Sequence, residues 1–183
     1  MGTSGGETKT GRAAAMLLAT PLGWVWAAAV AGKLVGLSLS RGTRDQAEKE
    51  AARLGEIGRP DALLRALSAD LERYFAGAAV DVRTYPVDVS DQPAFRRRAL
   101  LAATEIARGE TRTYGWLAAR AGSPGGARAA GQAMAHNPIG LVIPCHRVVA
   151  GNGRLGGFGG GPAMKRALLE LEGVEFHGER LAR

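Results

Sequence analysis

The sequence predicts an α/β (α+β) protein, in which a small N-terminal domain of sheet and helix precedes a mostly helical C-terminal domain with a helix–turn–helix. Three observations predict this class. Two short apolar segments flank a Gly-Lys pair at 32–33, and helical periodicity follows at 62–76. Two short helical segments, separated by Gly122, then occupy 114–136.

The chain has 183 residues, of which 46% are hydrophobic and 22% charged, and this composition excludes a disordered protein. Cys145 is the single cysteine, which excludes an intrachain disulfide and a cysteine-rich zinc site. We therefore expect a reducing, cytoplasmic location, no metal and no cofactor.

A Pro/Asp/Ser stretch at 86–93 has the composition of a linker. We accordingly predict a flexible terminus at 1–12, an N-terminal α/β support domain at 13–88 and a C-terminal domain at 89–183.

The N-terminal elements begin with an uncharged run at 13–32, which raises the alternatives of a membrane span or a signal peptide. Pro21 and Gly23 interrupt this run, so we favour no membrane segment. The residues from Trp24 onward are typical of a β-hairpin whose turn lies at 32–33 and whose second strand ends near Ser40.

Charged residues mixed with Ala and Leu predict a surface helix at 44–57. Asp61 can cap a second helix at 62–76, because its leucines recur on one face. The next apolar stretch, at 81–87, predicts a strand that ends near Pro86.

The C-terminal domain opens with a predicted helix at 92–107 and continues into a helix–turn–helix. Its first helix covers 114–121, and its second covers 124–136, with Ser123 as the N-cap. One face of the second helix carries almost no large side chain apart from Arg128. Such a face allows either close approach to a ligand or tight packing of helices.

Basic residues are concentrated in the C-terminal half. Residues 1–90 carry 11 basic and 10 acidic groups, whereas residues 91–183 carry 13 and 7. No Asp or Glu lies between Glu110 and Glu170, although seven basic groups do. This pattern is typical of a surface that approaches phosphates, and drift in an Arg-rich composition is the alternative.

Cys145 and His146 are adjacent at the end of an apolar run. Neighbouring basic groups can stabilise a thiolate, but adjacent residues do not face each other on a helix, so direct contact is not implied and a water could bridge them. A buried, unreactive cysteine is the alternative interpretation.

A glycine-rich segment at 151–161 follows, and residues 151–156 match G-x-G-x-x-G. Because no helix can begin at Gly156, we prefer a loop that approaches a ligand, with Phe158 as a stacking surface, over a dinucleotide site. A last helix follows at 162–172, and Glu172 at its end opposes the helix dipole. This glutamate is either held by a specific partner or solvated.

Several motifs, in this order, resemble the O6-alkylguanine-DNA alkyltransferase family (methylated-DNA–protein-cysteine methyltransferases). They cover about 92–173 and comprise the approach to the helix–turn–helix, the recognition helix with its Asn-Pro hinge, the Pro-Cys-His-Arg-Val-Val signature and the last helix. In this sequence these motifs stand at 109–118, 127–138, 144–149 and 168–173.

The resemblance implies that the protein repairs guanine alkylated at O6 by moving the alkyl group irreversibly to its own Cys145. His146 would act through a water as the base, and Glu172 would orient and charge-stabilise it. Tyr114 would donate a proton toward the leaving guanine, and Asn137 would join the recognition helix to the active-site turn.

The resemblance also implies binding to the minor groove of double-stranded DNA that contains O6-alkylguanine, with the damaged nucleotide flipped out. Arg128 would fill the gap in the base stack. The other residues expected at the DNA are Ser123, Ala127, Ala129, Gly131 and Tyr114. Those expected around the alkylguanine are Met134, Pro144, Val148, Phe158 and Gly159. Gly125 and Gly126 depart from a good helix start.

Two other functions stay open at the level of sequence. One is a non-enzymatic sensor of alkylated DNA that recruits other repair factors, against which Cys145 argues. The other is a Cys-His hydrolase, which would turn over repeatedly. For the alkyl-transfer function that the resemblance implies, we expect a monomer.

Overall fold

The computed structural model describes residues 13–40 and 42–182, so the predicted flexible terminus at 1–12 lies outside the described residues. A four-stranded sheet has the order β3-β2-β1-β4 and is followed by helices. The strands are β1 (Ala14–Thr20), β2 (Gly23–Val30), β3 (Lys33–Ser40) and β4 (Glu56–Ile57). Only β1 and β4 run parallel; the other neighbours are antiparallel.

The predicted hairpin is confirmed as β2 and β3, but its turn lies one residue earlier than expected. Val30 pairs with Lys33, so Ala31 and Gly32 form the turn, both with positive φ (47° and 74°). This conformation matches the twist of the strands, and glycine adopts it at no steric cost. The sheet is completed by β1, which the hairpin interpretation did not include.

Two helices cover the sheet. The first, α1 (Arg44–Ala52), is shorter than the predicted surface helix, because the chain turns after Arg53 and Glu56–Ile57 pairs with β1 as a strand. The second, α2 (Ala62–Phe75), confirms the helix predicted at 62–76. Asp61 caps it as expected, since its Oδ1 accepts from the Leu64 amide at 2.8 Å.

The strand predicted at 81–87 is wrong. Val82–Thr84 forms a 3₁₀ turn, and the Asp81 side chain accepts from the Arg83 amide at its start. Pro86 has no N–H to donate, so pairing here is limited to an isolated bridge between Val87 and Leu34 on β3.

The C-terminal half contains α3 (Ala94–Ala103), β5 (Arg112–Thr113), α4 (Tyr114–Arg120), α5 (Ala127–Ala135), β6 (Val148–Val149), α6 (Gly161–Leu171), β7 (Phe176–His177) and β8 (Arg180–Leu181). Helix α3 ends four residues before the end of the helix predicted at 92–107, and turns lead from it to Gly109. The two short parallel strands β5 and β6 place the start of α4 beside the residues that follow Cys145.

The helix–turn–helix is confirmed as α4 and α5, but the start of the second helix differs from the prediction. Gly126, not Ser123, is its N-cap, and no side chain caps it. Pro124 and Gly125 form a turn instead, in which Gly125 has φ +83° and the Gly126 amide donates to the Ser123 carbonyl. Two consecutive glycines make helix costly here, so the chain turns before it enters α5.

The two halves of the chain share one hydrophobic core, to which α2, β3, α3, α5 and α6 all contribute. The outer edge of β3 is occupied by the segment that precedes the Cys145 turn. Leu37 donates to the Pro138 carbonyl at 2.9 Å, and Gly140 donates to the Leu37 carbonyl at 2.7 Å. In the part of the chain that the structure describes, no helix is long and apolar enough to cross a membrane.

Candidate active site

Cys145, His146 and Arg147 form a 3₁₀ turn that follows the buried Pro144. Asn137, just after α5, holds this turn: its Nδ2 donates to the Ile143 carbonyl at 2.8 Å, and its Oδ1 accepts from the Ile139 amide at 3.1 Å. The expected link between the recognition helix and the active-site turn is therefore made by Asn137. Pro144 supports the turn from inside and does not line either cavity at Cys145.

Cys145 is half-buried, and its thiol is held in the protonated form at neutral pH. Burial raises the pKa of Cys145, while the Asn137 side chain and the charge of Lys165 lower it in part. A neighbouring base is therefore needed to generate the thiolate.

His146 and Glu172 meet across 26 positions of sequence, and both side chains are fully buried. The His146 Nε2 lies 2.9 Å from Glu172 Oε1, whereas its buried Nδ1 has no hydrogen-bond partner among the described protein atoms. Burial lowers the pKa of His146, so the imidazole is neutral near pH 7 and able to accept a proton. Of the two interpretations of Glu172, the held carboxylate is confirmed and the solvated one is wrong.

Arg147, which the sequence analysis missed, holds the Glu172 carboxylate from the other side. Its Nε donates to Oε2 and its Nη2 to Oε1, both at 2.8 Å, and its Nη1 donates to the Ile106 carbonyl at 2.7 Å. Burial raises the pKa of Glu172, but the hydrogen bonds and charges of His146 and Arg147 outweigh it and lower that pKa well below its usual range. The carboxylate therefore stays ionised.

Tyr74, on α2, is the second residue that the sequence analysis missed. Its hydroxyl donates to Glu172 Oε1 at 2.7 Å from 98 positions away in the chain. No local pattern marks this tyrosine, because its spacing from Leu71 fits the buried face of an ordinary amphipathic helix.

Lys165, also missed, is a fully buried lysine on α6. Its Nζ donates to the carbonyls of Val148, Leu155 and Gly157 at 2.5, 2.6 and 3.3 Å. Burial lowers the pKa of Lys165 to about 8. The sequence did contain a signal for this residue, because Lys165 lies on the same helical face as Leu168 and Leu169. A lysine on a buried face needs buried hydrogen-bond acceptors.

Tyr114 is the first residue of α4, whose N-cap Thr113 accepts from the Trp116 amide. The Tyr114 hydroxyl donates to the Gly157 carbonyl at 3.2 Å. Burial raises the pKa of Tyr114, and the nearby charge of Cys145 raises it further, so this phenol keeps its proton. It can therefore serve as a proton donor.

A cavity of about 520 Å³ brings most of the predicted site residues together. The predicted residues that line it are Tyr114, Ala127, Arg128, Gly131, Met134, Cys145, Phe158 and Gly159. A second cavity of about 390 Å³ reaches the same cysteine from the side of β3.

Seven predicted residues do not line the first cavity. Four of them, described above, support the cysteine turn: His146, Asn137, Pro144 and Glu172. The other three are Val148, Ala129 and Ser123. The Val148 side chain is fully buried, and its carbonyl is one of the three that Lys165 contacts. Ala129 is exposed on α5, and Ser123 lies in the turn before that helix. Together with the exposed Ala127 and Arg128, Ala129 gives α5 an outer surface of small side chains and one guanidinium.

The fold and this site define a class of protein: a helix–turn–helix protein whose second helix borders a cavity containing a cysteine next to a buried His–Glu pair. The family model described as the DNA-binding domain of 6-O-methylguanine DNA methyltransferase matches residues 94–174. The chain belongs to the methylated-DNA–protein-cysteine methyltransferase family, as its relatives show.

Among curated relatives, the methylated-DNA–protein-cysteine methyltransferase of Mycobacterium tuberculosis is 47% identical over 103 residues, which are 56% of this chain and 61% of that protein. The protein of that name from Methanothermobacter thermautotrophicus is 39% identical over 120 residues, 66% of this chain and 67% of the relative. The matched region thus spans about three-fifths of the length of the Mycobacterium tuberculosis relative.

Solved structures match over more of the chain. Mycobacterium tuberculosis O6-methylguanine methyltransferase is 36% identical, with a TM-score of 0.71 over 87% of this chain and 92% of that one. A structure of the Mycobacterium tuberculosis protein named OGT in complex with DNA gives 34% identity and a TM-score of 0.72 over the same shares. O6-methylguanine-DNA methyltransferase from Pyrococcus kodakaraensis is 25% identical, with a TM-score of 0.65 over 88% of this chain and 99% of that one.

Proposed function

We propose that this protein binds double-stranded DNA containing O6-alkylguanine, mainly O6-methylguanine, and transfers the alkyl group irreversibly to its own Cys145. The observation that carries the proposal is the hydrogen bond between His146 and Glu172, buried directly beside the cysteine at the cavity. Membership of the methylated-DNA–protein-cysteine methyltransferase family supports the same chemistry.

In the proposed reaction, the neutral His146 accepts the thiol proton of Cys145 through a water at Nδ1, while Glu172 stabilises the imidazolium through Nε2. The thiolate attacks the alkyl carbon, a sulfur–carbon bond forms, and the bond from that carbon to O6 breaks. Tyr114 donates a proton toward the guanine that leaves with the bonding electron pair. The thioether cannot be cleaved by the same groups, so each molecule reacts once.

Recognition of DNA is assigned to α5. Its exposed Ala127 and Ala129, with Gly131 behind them, allow a close approach to the minor groove, and Arg128 fills the stack when the damaged nucleotide flips out. Ser123 contacts the backbone of the DNA. The flipped guanine occupies the cavity beside Met134, under Phe158 and against the backbone at Gly159, with Val148 and Pro144 supporting its wall.

A mass measurement tests the proposal. The protein is incubated with a duplex containing one O6-methylguanine, digested and weighed. We expect one added methyl group per molecule, on the Cys145 peptide, and none in Cys145→Ala. Stoichiometric binding of the methylated duplex without any mass gain would instead identify a sensor of alkylated DNA. More than one demethylation per molecule would identify a hydrolase.

The role of Arg128 is tested with a matched arginine far from α5. Arg128→Ala should slow repair of a methylated duplex while changing nonspecific binding little, because the guanidinium stabilises the flipped state. The control is Arg59→Ala, which removes an exposed positive charge of the N-terminal half. Equal repair rates in the two variants would contradict the assignment of Arg128. The monomeric state and the cytoplasmic location stay predictions.

A further inference from the structure

Tyr74 is a buried tyrosine of the N-terminal half whose hydroxyl reaches the site of the C-terminal half. The residue is 1% exposed, and its hydroxyl lies 2.7 Å from Glu172 Oε1. Helix α2 packs against the sheet through Leu64, Leu67 and Leu71, and Tyr74 is the last residue of this buried face. The position of the hydroxyl is therefore fixed by the packing of the N-terminal half.

One carboxylate oxygen of Glu172 accepts three hydrogen bonds. Its donors are Tyr74 at 2.7 Å, Arg147 Nη2 at 2.8 Å and His146 Nε2 at 2.9 Å. These donors share the charge of a single oxygen, so each of them lowers the charge available to the other two. The oxygen that stabilises the His146 imidazolium is thus the oxygen that Tyr74 contacts.

Charged and titratable groups from several parts of the fold act on this oxygen and on His146. His146 and Arg147 lie on the active-site turn, Tyr74 on α2, and Arg83, which the charge of Glu172 affects, in the 3₁₀ turn after α2. Lys165, on α6, acts on His146, since its charge lowers the pKa of that residue. The guanidinium of Arg108, after α3, lies 5.0 Å from the centre of the Tyr74 ring, and its Nη2 donates to the Leu171 carbonyl at 2.7 Å. Burial and the charge of Glu172 raise the pKa of Tyr74, so its hydroxyl remains a donor.

We propose that Tyr74 is a positioning residue for alkyl transfer: its hydrogen bond fixes Glu172 Oε1 toward His146 and limits the negative charge that reaches the imidazole. Helix α2 thereby contributes directly to the active site, beyond supporting the fold. This inference rests on the proposed function, since it assigns Tyr74 to the same base.

The alternative is a tyrosine that only ties the two halves together. Tyr74→Phe distinguishes a positioning role from a purely structural one, because it removes the hydroxyl and leaves the ring in place. Tyr85→Phe is the matched control: the Tyr85 hydroxyl also donates to a carboxylate of α2, Asp70 Oδ2 at 2.9 Å, away from Glu172. Both variants lose one hydroxyl–carboxylate hydrogen bond.

The experiment measures two quantities in each variant. The first is the single-turnover rate of methyl transfer from a saturating O6-methylguanine duplex, with the dissociation constant for that duplex. For Tyr74→Phe we expect a rate about tenfold lower at unchanged affinity, because the lost orientation of Glu172 Oε1 toward His146 outweighs the extra charge on that oxygen. Tyr85→Phe should retain the wild-type rate.

The second quantity is the titration of His146, followed by NMR of protein with labelled histidine. Tyr74→Phe leaves more charge on Glu172 Oε1, so we expect the pKa of His146 to rise, while Tyr85→Phe leaves it unchanged. This titration needs no DNA and no reaction. If the wild-type protein gained no methyl group at Cys145, the proposed function would fail, but the titration would still decide whether Tyr74 acts on His146.

Two results would overturn the inference. One is a His146 titration in Tyr74→Phe that coincides with the wild-type titration. The other is an equal slowing by Tyr74→Phe in the wild-type and Glu172→Gln backgrounds, because a residue that acts through Glu172 has no effect to add once that carboxylate is neutral.

Discussion

Glu172 is a buried carboxylate whose oxygens accept hydrogen bonds from Tyr74, His146 and Arg147. A buried charge is tolerated when it is paired and hydrogen-bonded, and removing one member leaves the others uncompensated. In the proposed reaction Glu172 therefore serves stability and chemistry with the same atoms, as the partner of the Arg147 guanidinium and as the partner of the proposed base, His146.

Neutralising this carboxylate should reduce both properties. We expect Glu172→Gln to lower the free energy of unfolding by about 3 kcal/mol, because the buried Arg147 loses its counter-charge. Methyl transfer should slow at least about 100-fold, since the His146 imidazolium loses its stabilising charge. The measurements are urea denaturation and single-turnover transfer.

Glu170→Gln is the control for that substitution. Glu170 lies on the same helix but is exposed and pairs with Arg166 at the surface. We expect its unfolding free energy to stay within about 0.5 kcal/mol of the wild type. Equal losses in the two variants would show that the buried ion pair has no special importance.

The pH dependence of methyl transfer follows from His146. Burial lowers the pKa of His146 below the ordinary value of 6.5, so more than half of the proposed base is neutral throughout the interval from pH 7.5 to 6.5. The transfer rate should therefore keep more than half of its value over that interval and fall further at lower pH, as the imidazole becomes protonated. Rates are measured on saturating duplex, with circular dichroism to verify folding. A rate that already halves at pH 7 would contradict a depressed pKa.

At the scale of elements, the glycine-rich loop before α6 is held by Lys165 and by Tyr114. Lys165 contacts the carbonyls of Leu155 and Gly157, and the Tyr114 hydroxyl contacts Gly157 as well. The loop therefore closes against the residue proposed as the proton donor. Gly156 has φ +72°, and a Cβ there would lie 3.0 Å from Cε2 of the Tyr114 ring.

A methyl group at this position should displace Tyr114. We expect Gly156→Ala to lower the free energy of unfolding by about 1–2 kcal/mol through backbone strain, and to slow methyl transfer about tenfold by moving the phenol. At Gly151, in the same glycine-rich segment but not lining the cavity at Cys145, no atom lies within 4 Å of an added Cβ, so Gly151→Ala should behave as wild type. Denaturation and transfer assays compare the pair, and equal rates would show that Tyr114 tolerates the displacement.

At the scale of the whole molecule, the two halves are joined by backbone pairing as well as by their shared core. Val87 pairs with β3 through Leu34, and Ile139 pairs with the same strand through Leu37. Tyr74 adds a buried hydrogen bond from α2 to the end of α6. These contacts link the sheet to both sides of the active-site turn.

Because the two halves share their main core, they should unfold together. We expect a single urea transition, reported equally by Trp24 and Trp26, in the smaller apolar cluster of the first half, and by Trp116, which packs against the main core in the second half. The measurement compares the fluorescence of Trp116→Phe with that of the Trp24→Phe/Trp26→Phe double variant. Two separate midpoints would instead support independent domains at 13–88 and 89–183.

The elements that could be predicted from the sequence are those fixed by local interactions. Asp61 and the leucines after it determine α2, and the small residues between β2 and β3 determine a hairpin. The predictions were wrong where a partner distant in the chain, or a glycine, determines the local structure. β4 forms only by pairing with β1, and Gly125 turns the chain where the Ser123-Pro124 pattern predicts a helix start.

By itself, the sequence determined the fold class, the helix–turn–helix and the adjacent Cys145 and His146, because periodicity, turn chemistry and contiguous motifs are local properties of the chain. Only the tertiary structure decided what holds the site. The hydrogen-bond partner of Tyr74 lies 98 positions away in the chain, and the carboxylate that Arg147 contacts lies 25 positions away. The carbonyls that Lys165 contacts lie between 8 and 17 positions away. Their buried polar groups are satisfied only when separate elements pack together, and no local pattern records that requirement.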